Sequence, residues 1–192
     1  ALMAGYVAYG YHKEALICFQ HMKIEGNLCL HSGALSRSLK ACAKTGDFEK
    51  GQEIHMETVK REILEGDQIL CNSLIHMYAQ SGWLHEAIHV FEDVRDKDVV
   101  SWAALMAGYM KHGFVEETLK CLVRMRIMGI SPDSVALICC LKSCSNIGDV
   151  ESGKEIHLQV TKMGLLFQKD ASLGNALLDL YVNCGMLLEA RD

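Results

Sequence analysis

Apolar side chains recur along this chain at helical spacing. Trp102, Leu105, Met106 and Tyr109 stand at i, i+3, i+4 and i+7, which places them on one stripe of a helix. Val115, Leu119, Leu122 and Met125 form a second stripe just downstream. Gly113 lies between the two, where a first helix must end in a left-handed residue for the chain to turn back. The pattern predicts a helical hairpin. Turn glycines of the same kind stand at Gly10, Gly46, Gly82, Gly113, Gly148 and Gly185, separated by 36, 36, 31, 35 and 37 residues. Six related hairpins follow, the first and last of them cut.

The repeat is also visible in wording. Ala-Leu-Met-Ala-Gly-Tyr occurs at residues 1–6 and again at 104–109, and Leu39-Lys40-Ala41-Cys42 returns as Leu141-Lys142-Ser143-Cys144. Glu53-Ile54-His55 returns as Glu155-Ile156-His157, and Asn72-Ser73-Leu74-Ile75 as Asn175-Ala176-Leu177-Leu178. A lone hairpin cannot bury both of its apolar stripes, so neighbours must stack and share an elongated core. The predicted fold is all-α, a right-handed α-solenoid of stacked helix-turn-helix repeats. Gly5 and Gly108, inside first helices at a helix-propensity cost of about 1 kcal/mol, are expected where adjacent helices approach closely. Cys42 and Cys144 occupy core-type positions, and His55 and His157 are expected to be partly buried structural residues.

Composition narrows the classes. With 192 residues, 50% of them hydrophobic and 22% charged, the chain can bury a core and is not a disordered segment. One proline and 7% aromatics argue against a turn-rich β-sandwich. Nine cysteines, an odd number that includes the adjacent Cys139 and Cys140, read as reduced thiols. No run reaches the roughly 18–20 apolar residues that a membrane span needs, and no leader or transit region is evident. The chain starts without Met and stops in mid-pattern at Ala190-Arg191-Asp192, so a piece of something longer is expected. A net charge of −5 counts against attraction of nucleic acid to the whole surface, though a local basic groove remains compatible with it.

The unequal periods set the repeat apart from the tetratricopeptide type, whose period is fixed at about 34 residues. They cycle through three classes with separate wordings: Val99-Val100-Ser101-Trp102 to Pro132-Asp133, Leu39-Lys40-Ala41-Cys42 to Glu53-Ile54-His55, and Asn72-Ser73-Leu74-Ile75 to Val90-Phe91. At these residues the chain resembles the pentatricopeptide repeat family, in particular the plant PLS subclass of ordinary (P), long (L) and short (S) motifs. The resemblance divides the chain into a partial P motif at 1–31, L at 32–67, S at 68–98, P at 99–133, L at 134–170 and a partial S motif at 171–192.

The family is a one-base-per-repeat reader of single-stranded RNA. The resemblance implies that an early residue of the first helix and the closing residue of the same motif choose the base. Asn72 with Asp98 would favour uridine, an amide being able both to donate and to accept at a pyrimidine edge. Ser36 with Asp67 resembles a guanosine pair, and Asn175 would again favour a pyrimidine. Ala103 with Asp133, and Ile138 with Asp170, depart from the pattern, because neither Ala103 nor Ile138 can hydrogen-bond a base. The same aspartates stand just before new helices, where they can also act as caps, and the two roles can coexist. Leu70 could touch a base face, although core packing suits it better. The resemblance further implies a parent acting in organellar RNA processing, chiefly C-to-U editing, in a mitochondrion or chloroplast. Its partners would be single-stranded RNA and other RNA-processing proteins, with no membrane, small-molecule substrate, metal or cofactor. The rival from another class is a protein-binding helical scaffold.

Two motifs invite an enzyme reading. His85-Glu86-Ala87-Ile88-His89 matches the HExxH zinc-peptidase pattern, but Glu86-Ala87 aligns with Glu14-Ala15 and Glu117-Thr118, so the repeat already accounts for the acid. A catalytic zinc needs three protein ligands, and no third is evident. His12-Lys13-Glu14 and His55-Met56-Glu57 match the histidine element of zinc deaminases, yet the partner Pro-Cys-x-x-Cys is missing. The segment is expected to be non-catalytic.

Overall fold

The computed structural model describes residues 2–24, 31–165 and 171–186. They form eleven helices and no strand: α1 (Leu2–Ala8), α2 (His12–Ile24), α3 (Ser32–Thr45), α4 (Phe48–Lys60), α5 (Gln68–Ser81), α6 (Leu84–Asp93), α7 (Val99–Lys111), α8 (Val115–Ile127), α9 (Ser134–Ile147), α10 (Val150–Lys162) and α11 (Ser172–Asn183). The chain divides into two compact units, Ala1–Lys97 and Asp98–Asp192.

Each hairpin is made by local chemistry. The turn glycines Gly10, Gly46, Gly82, Gly113, Gly148 and Gly185 all adopt positive φ, between 69° and 86°, and the Gly46 amide donates to Cys42 O to close α3. Helices α4 and α10 start on an aspartate: Asp47 accepts from Lys50 N and Asp149 from Ser152 N, each at 3.1 Å.

In the first unit α3 packs between α1 and α5, while α2 lies against α1 and α3, α4 against α3 and α5, and α6 against α5. The second unit repeats this order: α9 packs between α7 and α11, α8 lies against α7 and α9, and α10 against α9 and α11. Each unit is therefore a two-layer stack of hairpins, an α-solenoid as predicted. Leu35, Leu39, Leu70, Leu74, Ile75 and Phe91 seal the first core, and Trp102, Leu105, Met106, Leu137 and Leu141 the second. Burying one such side chain contributes about 1.5–3 kcal/mol. The α7 stripe is buried at all four predicted positions. The α8 stripe is rotated: Leu122 and Met125 are buried together with Thr118 and Cys121, leaving Val115 and Leu119 half-buried.

Close approach is absent at Gly5 and occurs at two further glycines. A Cβ at Gly5 would meet nothing within 4 Å, and Gly108 is buried. The tight contacts are at Gly51 and Gly153, where a Cβ would come within 2.6 Å of Met77 Sδ and 2.5 Å of Leu180 Cδ2. The missing side chain lets α4 and α10 press onto α5 and α11. The same junctions carry a hydrogen bond, His55 Nδ1 to Tyr78 Oη and His157 Nδ1 to Tyr181 Oη, both 2.8 Å. Burial holds the His55 pKa below its ordinary value, so the neutral ring is favoured there. Across the second helices, Lys23 pairs with Glu53, and Arg126 pairs with Glu155 at 2.7 Å.

Glu62 is the one described non-glycine residue at positive φ, 54°. It occupies the position equivalent to Gly164, which has φ 66°. Relief of the Cβ clash should outweigh the extra freedom of the unfolded glycine chain. Glu62→Gly is therefore expected to raise stability by about 0.5–1 kcal/mol, read as a higher urea midpoint.

Candidate nucleic-acid interface

The candidate residues occupy one turn of successive first helices. Ser36, Asn72, Ala103 and Ile138 are each the fifth residue of α3, α5, α7 and α9, and Asn175 is the fourth of α11. Their surroundings differ. Ser36 is buried, and its hydroxyl lies 2.6 Å from that of Ser73, which itself donates to Ile69 O. Ala103 is buried and Ile138 half-buried. Asn72 is half-buried, its Oδ1 accepting from Gln68 Nε2 at 3.3 Å, and Asn175 is exposed. The contact between Ser36 and Ser73 brings the candidate turn of α3 beside the residue following Asn72 on α5.

The motif-closing aspartates are helix caps. Asp67 accepts from Leu70 N at 3.0 Å, Asp98 from Ser101 N at 2.8 Å and Asp133 from Ala136 N at 2.9 Å. Each is only partly buried. Asp67 thus stands at the head of α5 and Asp133 at the head of α9. Asp98 heads α7 in the second unit, whereas Asn72 belongs to the first. Asp170 lies outside the described residues.

Three apolar side chains escaped the sequence reading. Leu70 is fully buried, and the residue before it, Ile69, is 70% exposed. Val100 and Val135 are its counterparts, about half exposed. Each stands three residues before a candidate, at Asn72, Ala103 and Ile138, so helical phase puts it on the same face. A β-branched residue recurring at the second place of the helix was the available signal.

Cys42 and Cys144 are fully buried, and desolvation pushes both thiols up to about 12. The His85 and His89 rings meet edge-on at 4.5 Å, and no group of three metal-ligating side chains gathers among the described residues. Among those residues no helix is long and apolar enough to cross a membrane.

Comparison with known proteins gives one consistent answer. The PPR repeat family model matches residues 97–146, and the PPR repeat model matches 1–27 and 69–99. A chloroplastic pentatricopeptide repeat-containing protein of Arabidopsis thaliana is 31% identical over 202 residues, covering 100% of this chain and 22% of its own length. A mitochondrial one from the same plant is 31% identical over 194 residues, covering 100% of this chain and 27% of its own. The chain thus spans about a quarter of these relatives. Among solved structures, the pentatricopeptide repeat protein PPR10 in complex with an 18-nt psaJ RNA element matches at TM-score 0.73 and 26% identity, over 93% of this chain and 26% of that one. PPR10 from maize, described without an RNA element, matches at TM-score 0.66 and 25% identity. With helical hairpins throughout, turn glycines in register and family models matching in both units, the chain belongs to the pentatricopeptide repeat family.

Proposed function

We propose that this segment binds single-stranded RNA, reading bases one hairpin at a time, as part of a PLS-type factor for organellar RNA processing, and that the parent selects cytidines for C-to-U editing. The observation that carries the RNA reading is the recurrence of one candidate position at the same turn of the first helices, with an exposed β-branched neighbour three residues before it in three of the five. The likeness to PPR10, solved with an RNA element, supports it. A regular advance per hairpin suits the advance per nucleotide of an extended strand, and apolar side chains such as Ile69 offer faces against which unstacked bases can rest. Base choice in this reading falls on the amides Asn72 and Asn175. The division into motifs at 31, 67, 98, 133 and 170 goes with the PLS assignment. Relatives named as chloroplastic and mitochondrial support an organellar setting.

A scaffold for protein partners is the second reading, favoured by the net charge of −5 and by the apolar Ala103 and Ile138 at reading positions. Titration of labelled single-stranded RNAs separates the two. Sequence-dependent affinity that weakens as salt rises is expected. Equal affinity for every sequence, or no binding at all, would leave the scaffold.

A further inference from the structure

The two long hairpins differ from the two short ones in the chemistry of their first helices. Helix α3 carries three cations, Arg37, Lys40 and Lys44, and no carboxylate; α9 carries one, Lys142, and again no carboxylate. By contrast α5 has no Lys, Arg, Asp or Glu, and α11 has a single Asp179. Lys40 and Lys142 occupy equivalent places in the repeat, both exposed and neither in an ion pair among the described residues. Each stands four residues beyond the fifth-position residue of its helix, on the same face and about 6 Å further along the axis.

The fifth positions of these helices cannot do what those of the short hairpins can. The Ser36 hydroxyl is buried against Ser73, and Ile138 has no polar atom on its side chain. In the short hairpins the repeat-equivalent place holds Asn72 and Asn175, and four residues on stand His76 and Asp179. In both repeats the long hairpin with its cation is therefore followed directly by a short hairpin with its reading amide.

We infer a division of labour: the long hairpins grip the RNA backbone through Lys40 and Lys142, which face phosphate oxygens, and the short hairpins choose the base. An exposed ammonium on an acid-free helix face is a point charge suited to phosphate, and each phosphate neutralised releases condensed counterions from the strand. This inference rests on the RNA-binding reading and adds to it where along the chain affinity and selectivity arise. It also removes the conflict between a net charge of −5 and a polyanionic ligand. The acidic residues crowd onto the second helices, for example Glu49, Glu53 and Glu57 on α4 and Glu151 and Glu155 on α10.

The test compares the 192-residue chain with the double variant Lys40→Gln, Lys142→Gln, and with a control of equal net charge, Lys60→Gln, Lys162→Gln, which changes exposed lysines at the ends of α4 and α10. Binding of oligouridine and oligoadenosine is measured across a salt series. Two lost phosphate contacts should make the slope of log K against log salt shallower by about 1.4. The ratio of the two affinities should stay as in the unsubstituted chain, and the control should keep the original slope. An unchanged slope in the Lys40 and Lys142 variant, an equal loss in the control, or a changed base ratio overturns the inference. Absence of salt-sensitive binding by the unsubstituted chain is a different result, because it removes the RNA reading itself.

Discussion

Trp102→Ala is expected to cost the second unit about 3–5 kcal/mol, the range for truncating a large aromatic side chain in a core. The indole is fully buried on α7, and α7 packs against both α8 and α9, so the void would open at the meeting of three helices. The Arg124 guanidinium lies over the ring, 5.1 Å from its centroid, and would lose that face as well. Arg124 is exposed, so Arg124→Ala alone is expected to cost only about 0.5–1 kcal/mol. Contacts in such a stack run mainly between neighbours. Hydrogen exchange should therefore show lost protection concentrated in α7, α8 and α9, and urea unfolding should report the free energy. A cost under about 1 kcal/mol would mean that the ring does not occupy the core.

The fold was legible because two signals in the sequence do not depend on the partner helix. A turn glycine marks where a helix must end, and an i, i+3, i+4, i+7 stripe marks which side must be covered; Gly113 and the four buried residues of α7 obey both. What failed concerned pairs of helices. Gly5 and Gly51 look alike in one dimension, and only the position of Met77 on α5 makes Gly51 the tight contact. The outer ion pairs of Lys23 with Glu53 and Arg126 with Glu155 likewise become visible once second helices are known to lie two elements apart in neighbouring hairpins. At the candidate interface Leu70 packs in the core as expected, and it is Ile69, one residue and about 100° of helical rotation away, that is exposed. The closing aspartates carried both a capping and a reading role in the sequence. The hydrogen bonds of Asp67, Asp98 and Asp133 account for the first. Burial of Ser36 against Ser73 could not be foreseen, because serine is equally suited to an exposed contact and to a hydroxyl pair between helices.

Asn72→Ala is the substitution expected to alter recognition most. The Asn72 amide can satisfy a pyrimidine edge by donating with Nδ2 and accepting with Oδ1, and the alanine methyl can do neither. A well-formed side chain to base contact is worth about 1–3 kcal/mol in the related DNA case, so the preference at one nucleotide should fall by roughly 5- to 150-fold. Preferences elsewhere along the RNA should persist, because the proposed reading places the choice at each other base on a different hairpin. The fold should survive, because Asn72 is half-buried and alanine is the better helix former. Salt dependence should also persist, since no charge is removed, which makes this variant the complement of the lysine pair. The measurement is competition among RNAs varied one position at a time, with circular dichroism to verify folding. A loss of affinity spread evenly over all sequences would assign Asn72 to the packing of α5, and an unchanged preference would place base choice on other side chains.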